Sequence, residues 1–489
     1  MAASFDSAAM SGFKEYERYD GLGLAELVRR REVAPRELLE AALARIERVD
    51  PKIRAVCGLA VEPAQRAIAH GLPEGPFTGV PFLLKDITAA AQGLPMSCGS
   101  RFFQGVGGDH DTELVARYRR AGLVIFGRTT TPEMAISPST EAVVYGAPTR
   151  NPWNLAYSAG GSSGGAGAAV AAGIVPLAHG SDGGGSIRIP AGCNGLFGLK
   201  PTRARLPAGP DAGEGWGGLL CEHVLTRSVR DSAAALDTTH GADFGAYYAA
   251  PAVSRRYLEE IETPPARLRI AYTAKLFTGE PVHPECAAAV ASSARLCADL
   301  GHELIEAAPS GFDWEEVLRN VVTIMASGTA LAVRSRSREL GRAPREDELE
   351  PATRGAVRLA EGIRGPDYLL ALAGVHAFAR VVARFFERHD VLLTPVLAQP
   401  TAPLGRWAMS NPDFLDYRLG PNGLKTYVAF TPLANATGQP AMAVPLHWSA
   451  DGLPIGSHFV GRFGEEATLL KLARQLEQAQ PWSDRRPVL

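Results

Sequence analysis

Serines arrive at two defined places in the stretch "GGSSGGAGAAVAAGIVPLAHGSDGGGSIRIPAGCNG", residues 160–195: Ser162 and Ser163 stand between glycine pairs, and Ser186 follows Gly183, Gly184 and Gly185. Glycine loses more backbone freedom on folding than any other residue, so bare backbone around these hydroxyls calls for a chemical reason. Consecutive glycines let neighbouring N–H groups converge on one point. Such donors stabilise the oxyanion of a tetrahedral intermediate, and losing one typically costs about a hundred- to a thousandfold in rate. Ser186 then reads as a nucleophile whose attack leaves the new oxyanion facing the N–H groups of Gly183, Gly184, Gly185 and Ser186 itself. A serine hydroxyl attacks poorly unless a base takes its proton, and no histidine follows at a recognisable spacing. Lys85 is one candidate base. It closes the apolar run "PFLLK", where a sheet would otherwise take leucine. Burial lowers a lysine pKa, by up to about 3–5 pH units when complete, and a neutral lysine is a competent general base. A strand-end lysine that reaches solvent or pairs with a carboxylate fits the same run.

Other chemistries fit the glycine-rich stretch less well. A phosphate-binding P-loop needs Gly-Lys-Ser/Thr, and no lysine occurs from 160 to 199; a dinucleotide fingerprint is not matched either. Gly160, Ser162 and Gly164 satisfy G-x-S-x-G, but that elbow needs a buried strand directly before it, and the preceding "NPWNLAYSA" reads as loop. Close packing accounts for "GAGAAVAAG" (165–173) as a helix without bulky side chains. It does not account for "GSDGGGSIR" (180–188), which is too glycine-rich for stable helix or strand.

The elements that must position these groups show in the apolar pattern. Leu39, Ala42, Leu43, Ile46 and Val49 share one face of a helix over 36–49, with Pro35 at its start. Short apolar runs at 80–86, 123–129, 174–182, 268–273 and 390–395 read as strands buried on both faces, between helical patterns such as 112–122 and 286–301. That alternation predicts an α/β architecture with a largely parallel or mixed sheet. Residues 240–268 are polar and proline-bearing, and the aperiodic 397–430 segment fits an active-site wall or lid as well as a surface excursion.

Charge and cysteine usage exclude several classes. Fifty basic residues against 52 acidic ones leave a formal charge of −2, so no global field recruits nucleic acid or an anionic membrane. "LVRRRE" (27–32) reads as a solvated helix end. The N-terminus lacks the basic start and apolar core of a signal peptide, and the longest weakly polar run, about 164–178, is too short to span a bilayer. Six scattered cysteines without a C-x-x-C pair, and eleven histidines without H-x-x-x-H, point to reduced thiols in a cytoplasmic protein and away from a zinc site.

"GGSSGGAGAAVAAG", "GSDGGGSIRIPAGCNGLFGLKPTR" and the upstream "GVPFLLKD" resemble the amidase signature family of serine hydrolases. The likeness extends through "AGLVIFGRTTTPEM" (121–134), "YGAPTRNPWNLAYSAGG" (145–161), "TRSVRDSAAALD" (226–237) and "TPLANATGQPAMAVPLHWSADGLPIG" (431–456), and so covers most of the chain. It implies an α/β amidase signature fold, a mixed central β-sheet covered by helices on both faces, as one domain over 1–489. The signature core would lie at about 75–210, with peripheral segments at about 240–268 and 397–430. The family's triad falls on Lys85, on Ser162 as a bridging serine with a cis peptide bond, and on Ser186 as nucleophile. Gly183, Gly184, Gly185 and Ser186 would supply the oxyanion hole, and Asp182, Arg188 and Ser163 structural support. Met134 and Met325 are candidates for the substrate pocket, although Met325 reads equally as a core methionine.

The resemblance further implies catalysis without metal or cofactor on a small-molecule amide: an aryl amide, an ω-amino acid oligomer or a urethane (carbamate). The protein would act as a monomer or homodimer, without nucleic acid or membrane. The runs "HDTELVARYRRAG", "GAPTRNPWNL" and "IRIPAGCNG" are similar to the family's nylon-oligomer-hydrolysing branch. An alternative within the family is the glutamine-hydrolysing subunit of a tRNA-dependent amidotransferase. A catalytically idle scaffold would lack a triad residue, and all three are present. Departures from the family pattern are Gly183 where threonine is common, Ala159 where proline is common, and Ala204 where glycine is common.

Overall fold

The computed structural model describes residues 13–489. Short apolar runs bounded by turn residues become strands: β1 (Val56–Leu59), β2 (Pro81–Lys85), β3 (Val124–Thr129), β4 (Arg150–Asn151), β5 (Asn154–Ser158), β6 (Leu177–Asp182), β7 (Phe197–Lys200), β8 (Cys221–Thr226), β9 (Arg269–Tyr272), β10 (Glu303–Glu306), β11 (Val391–Pro395), β12 (Ala441–Trp448) and β13 (Pro454–Gly461). Eleven of them form one sheet in the order β1-β3-β2-β6-β8-β7-β12-β13-β11-β9-β10, while β4 and β5 pair separately. The sheet is mixed. Strands β3, β2 and β6 run parallel, as do β11, β9 and β10, and antiparallel pairs join these two wings through the centre.

Fifteen α-helices flank this sheet among the described residues. Met442, Val444 and Leu446 of β12 enter one apolar cluster, whereas Ala441 and Ala443 enter others. That period-two alternation is the mark of a sheet buried on both faces. The helix expected over 36–49 spans Pro35–Ile53, with Glu37 accepting the Ala34 N–H at 2.8 Å.

The small-residue helix is Gly164–Ala171, and all eight of its residues are buried. Its bareness has a steric cause: a Cβ on Gly165 would collide with the Thr130 backbone. One expectation fails here. Gly180, Ser181 and Asp182 continue β6 rather than forming irregular backbone. Pairing with β8 along the whole strand holds them, and a Cβ on Gly180 would lie 2.7 Å from Leu225 Cδ1.

Two helices, Trp314–Leu340 and Gly365–Phe385, are long and apolar enough by length and composition to cross a membrane. Both lie outside the 164–178 run, because helical periodicity mixes polar residues into them. Here they pack on one another, burying Val321, Ile324, Val375 and Phe378 in one cluster. The 397–430 segment is no surface excursion: Trp407, Phe414, Tyr417, Tyr427 and Phe430 are buried, and Ser137 Oγ donates to Trp407 O at 3.1 Å.

Candidate active site

Lys85 ends β2 beside β6, its parallel neighbour, and its side chain is fully buried. Neither a solvent-reaching lysine nor a carboxylate pair describes it. Its Nζ donates to Ser162 Oγ at 2.6 Å and to Ser181 Oγ at 2.9 Å, and among the described residues it forms no ion pair. Burial pulls its pKa down to about 7, against the opposing pull of the Asp182 and Glu222 carboxylates. Behind it, the Lys85 N–H donates to His179 Nδ1 at 3.2 Å, which leaves His179 Nε2 3.6 Å from Glu222 Oε2.

The Gly161–Ser162 peptide bond is cis. A side chain on Gly161 has no room: its Cβ would fall 2.7 Å from the Pro138 carbonyl carbon and from Ser139 N. Ser163 ties three segments together. Its N–H donates to Ser186 O at 3.1 Å, its Oγ donates to Ser181 O at 3.2 Å, and the Ser181 N–H donates back to that Oγ at 3.2 Å. The arrangement brings Lys85, Ser162 and the Ser186 backbone to one place. Ser186 itself is half-buried.

The loop carrying Ser186 is braced from beneath. Both Asp182 and Arg188 are fully buried, and Arg188 Nη2 lies 2.9 Å from Asp182 Oδ1. The Asp182 carboxylate also accepts the N–H groups of Gly185 (2.7 Å) and Ile187 (3.1 Å) and the Asn435 amide (3.0 Å). Burial pushes this carboxyl up, but the Arg188 charge and hydrogen bonds outweigh it and hold the group well below the usual carboxylate range. Arg188 donates further to Thr431 O (2.9 Å), Asn435 Oδ1 (2.6 Å) and His458 Nε2 (2.9 Å). Burial, helped by the Arg188 charge, keeps His458 neutral. It can therefore accept from Arg188 on Nε2 and donate from Nδ1 to Thr394 Oγ1 at 3.0 Å.

This bracing corrects one expectation. The Gly185 N–H is taken by Asp182 and is not an oxyanion donor. Among the described residues, the N–H groups of Gly183, Gly184 and Ser186 have no protein acceptor. Met134 and Met325 are both buried in the main apolar cluster, and neither lines the cavities beside the loop. On the Trp314–Leu340 helix, Ile324, Ser327, Gly328 and Leu331 face a cavity, and Met325 lies about 100° round from Ile324, toward the core. The methionine that does line a cavity here is Met96.

Sequence reasoning missed Ser181, Asn435, Thr431 and His458. A signal existed only for Ser181: two residues after His179 on one strand, it shares the face that meets Lys85. Among the described residues, no cluster of three His, Cys, Asp or Glu side chains is placed to hold a metal ion.

A model of the Amidase family matches residues 37–470. The 6-aminohexanoate-cyclic-dimer hydrolase of Paenarthrobacter ureafaciens is 39% identical over 478 residues, 96% of each chain. Among solved structures, a 6-aminohexanoate cyclic dimer hydrolase complexed with substrate has a TM-score of 0.90 at 37% identity, covering 96% of this chain and 99% of that one. A bacterial aryl acylamidase of the amidase signature enzymes has a TM-score of 0.85 at 27% identity, covering 95% and 97%. A glutamyl-tRNA(Gln) amidotransferase chain from Thermotoga maritima, at 24% identity, TM-score 0.76 and 96% coverage of both chains, is similar in fold alone. With a family match over that span and relatives aligned along nearly their whole length, the chain belongs to the amidase signature family of amide hydrolases.

Proposed function

We propose that this protein hydrolyses small-molecule amides through an acyl-enzyme on Ser186, with Ser162 and Lys85 as the proton relay. The observation that carries the proposal is a fully buried lysine whose pKa is drawn to about 7 and whose Nζ is 2.6 Å from Ser162 Oγ. Neutral Lys85 takes the Ser162 proton while Ser162 takes that of Ser186. The freed Ser186 oxygen bonds to the amide carbonyl carbon, and the carbonyl electron pair becomes an oxyanion held by the N–H groups of Gly183, Gly184 and Ser186. As the C–N bond breaks, the relay returns a proton to the departing amine. Water then attacks the ester by the same route and frees the acid and Ser186.

The relatives' names favour ω-amino acid oligomers and aryl amides as substrates. Carbamates present the same carbonyl to the same serine. The test has two arms. Amine release is measured across anilides, linear and cyclic aminohexanoate amides, primary carboxamides and an aryl carbamate. In parallel, a fluorophosphonate is mapped by peptide mass. Turnover together with a label on the Ser186 peptide is expected. Label on another serine overturns the nucleophile assignment, and ammonia release from glutamine only with a partner protein overturns the substrate class.

The lysine makes activity pH-dependent. Only the neutral form accepts a proton, so kcat/KM is expected to rise with pH through about 7. Glu222 favours the charged form. Glu222→Gln should therefore move that limb to lower pH and raise the ratio of activity at about pH 6 to that at about pH 8. A limb that stays put, or moves upward, contradicts Lys85 as the titrating base.

A further inference from the structure

The relay does not use Trp216, yet its indole lies against the oxyanion loop. A Cβ added to Gly183 would sit 2.7 Å from Trp216 Cζ3 and 2.8 Å from Cε3. A Cβ added to Gly328, on the Trp314–Leu340 helix, would collide with Cδ1 of the same ring and lie 2.9 Å from Nε1. The ring is clamped between two residues that have no side chain. Its backbone is set as tightly: Trp216 has φ +49, and Gly217 follows with Leu372 and Tyr368 pressed against it.

Trp216 also borders two cavities. One is a chamber of about 380 Å³ walled in part by Met96, Leu220 and Glu222. Two of its walls, Cys221 and Glu222, pair with Asp182 and Ser181 across β8 and β6, Ser181 being a partner of Lys85, and Trp216 bounds it on the side of Gly183. The other is a groove of about 520 Å³ along the two long helices, walled by Ile324, Leu331 and Tyr368. The indole is a partition between them.

Resting on the amidase reading, we propose that Trp216 is the specificity-determining residue that limits the size of the acyl group. The indole closes the chamber beside the oxyanion loop, so unbranched chains and single rings are accepted. Two-ring acyl groups, which would need the groove as well, are excluded. A glycine at 183 is then required by the partition, since any larger residue there would displace the ring from the loop.

The test uses the full chain and two anilides, hexanoyl and diphenylacetyl. Trp216→Ala is expected to raise the diphenylacetyl-to-hexanoyl ratio of kcat/KM at least about tenfold, mainly through KM, while Trp216→Phe stays within about threefold of wild type. Trp216→Leu, which keeps apolar bulk, gives an intermediate ratio and serves if the alanine variant does not fold. Gly183→Ala should cost at least about tenfold on the hexanoyl anilide alone, but less than about threefold in the Trp216→Ala background. The proposal is overturned if the substitutions at Trp216 scale both anilides equally, or if Gly183→Ala costs the same in both backgrounds. Fluorophosphonate labelling of Ser186 is read in every variant: its absence in the wild type would sink the serine mechanism, whereas its presence with an unchanged ratio sinks only the partition.

Discussion

Ser186→Ala is expected to lower kcat/KM about ten-thousand- to million-fold on whichever amide of the panel is best, and to abolish the fluorophosphonate label. Lys85→Met should cost nearly as much, because Ser162 then has no base: among the described residues Nζ is its only basic partner, and Ser181 Oγ next to it is another hydroxyl. Members of one relay act as a unit, so the double variant Ser186→Ala/Lys85→Met should be no worse than Ser186→Ala alone. Residual turnover from Lys85→Met should also lose the rise through about pH 7. Single-turnover and steady-state rates from pH 5 to 9 check this. Independent, multiplying losses, or a surviving limb, would place the base elsewhere.

The second large effect concerns stability. Arg188→Met leaves the Asp182 carboxylate fully buried without its charge partner and strips donors from Thr431 O and Asn435 Oδ1. Breaking a buried pair from one side typically costs about 3–5 kcal/mol, because the remaining charge is uncompensated. Arg188→Met/Asp182→Asn should recover part of that loss, a sign opposite to additivity. The pH dependence follows from the direction of the Asp182 shift. Its folded-state pKa lies below the unfolded value, so the stabilisation is fully present above about pH 4 and fades as pH falls through the folded value. The deficit of Arg188→Met, measured by urea unfolding, should therefore narrow in acid. A deficit that is constant with pH would mean that the pair contributes packing and no electrostatics.

What could be read along the chain was what local chemistry marks. A lysine closing an apolar run is anomalous by itself, and Lys85 is indeed the buried end of β2. Glycine on both sides of the Ser162–Ser163 pair and before Ser186 likewise marks backbone that must approach something closely. The partners of those residues carry no such mark. Asn435, Thr431 and His458 meet Arg188 only because β12 and β13 enter the sheet beside β7. Nothing within a dozen residues of any of them predicts that contact. Met325 was open between pocket and core for a related reason: helical periodicity gives faces, but which face meets a cavity is decided by the neighbouring helix. Gly185 failed because the same glycine run offers its N–H groups to an oxyanion and to Asp182 alike, and only the carboxylate's position separates the two.

The strand order carries a consequence for how the enzyme comes into being. The wing holding β2 and β6 and the wing holding β9 and β11 are joined through β12 and β13, the last strands of the chain. Asp182 and Arg188, made far earlier, wait on Asn435 and His458 for part of their hydrogen bonds. At ribosomal rates of about 5–20 residues per second, the loop carrying Ser186 is made many seconds before Asn435 and His458. A chain ended before Thr431 thus carries Lys85, Ser162 and Ser186 but lacks Thr431, Asn435, His458, β12 and β13, which brace the loop. The brace of the Ser186 loop is therefore a long-range contact, closed only once the segment carrying Asn435, β12 and β13 has been made.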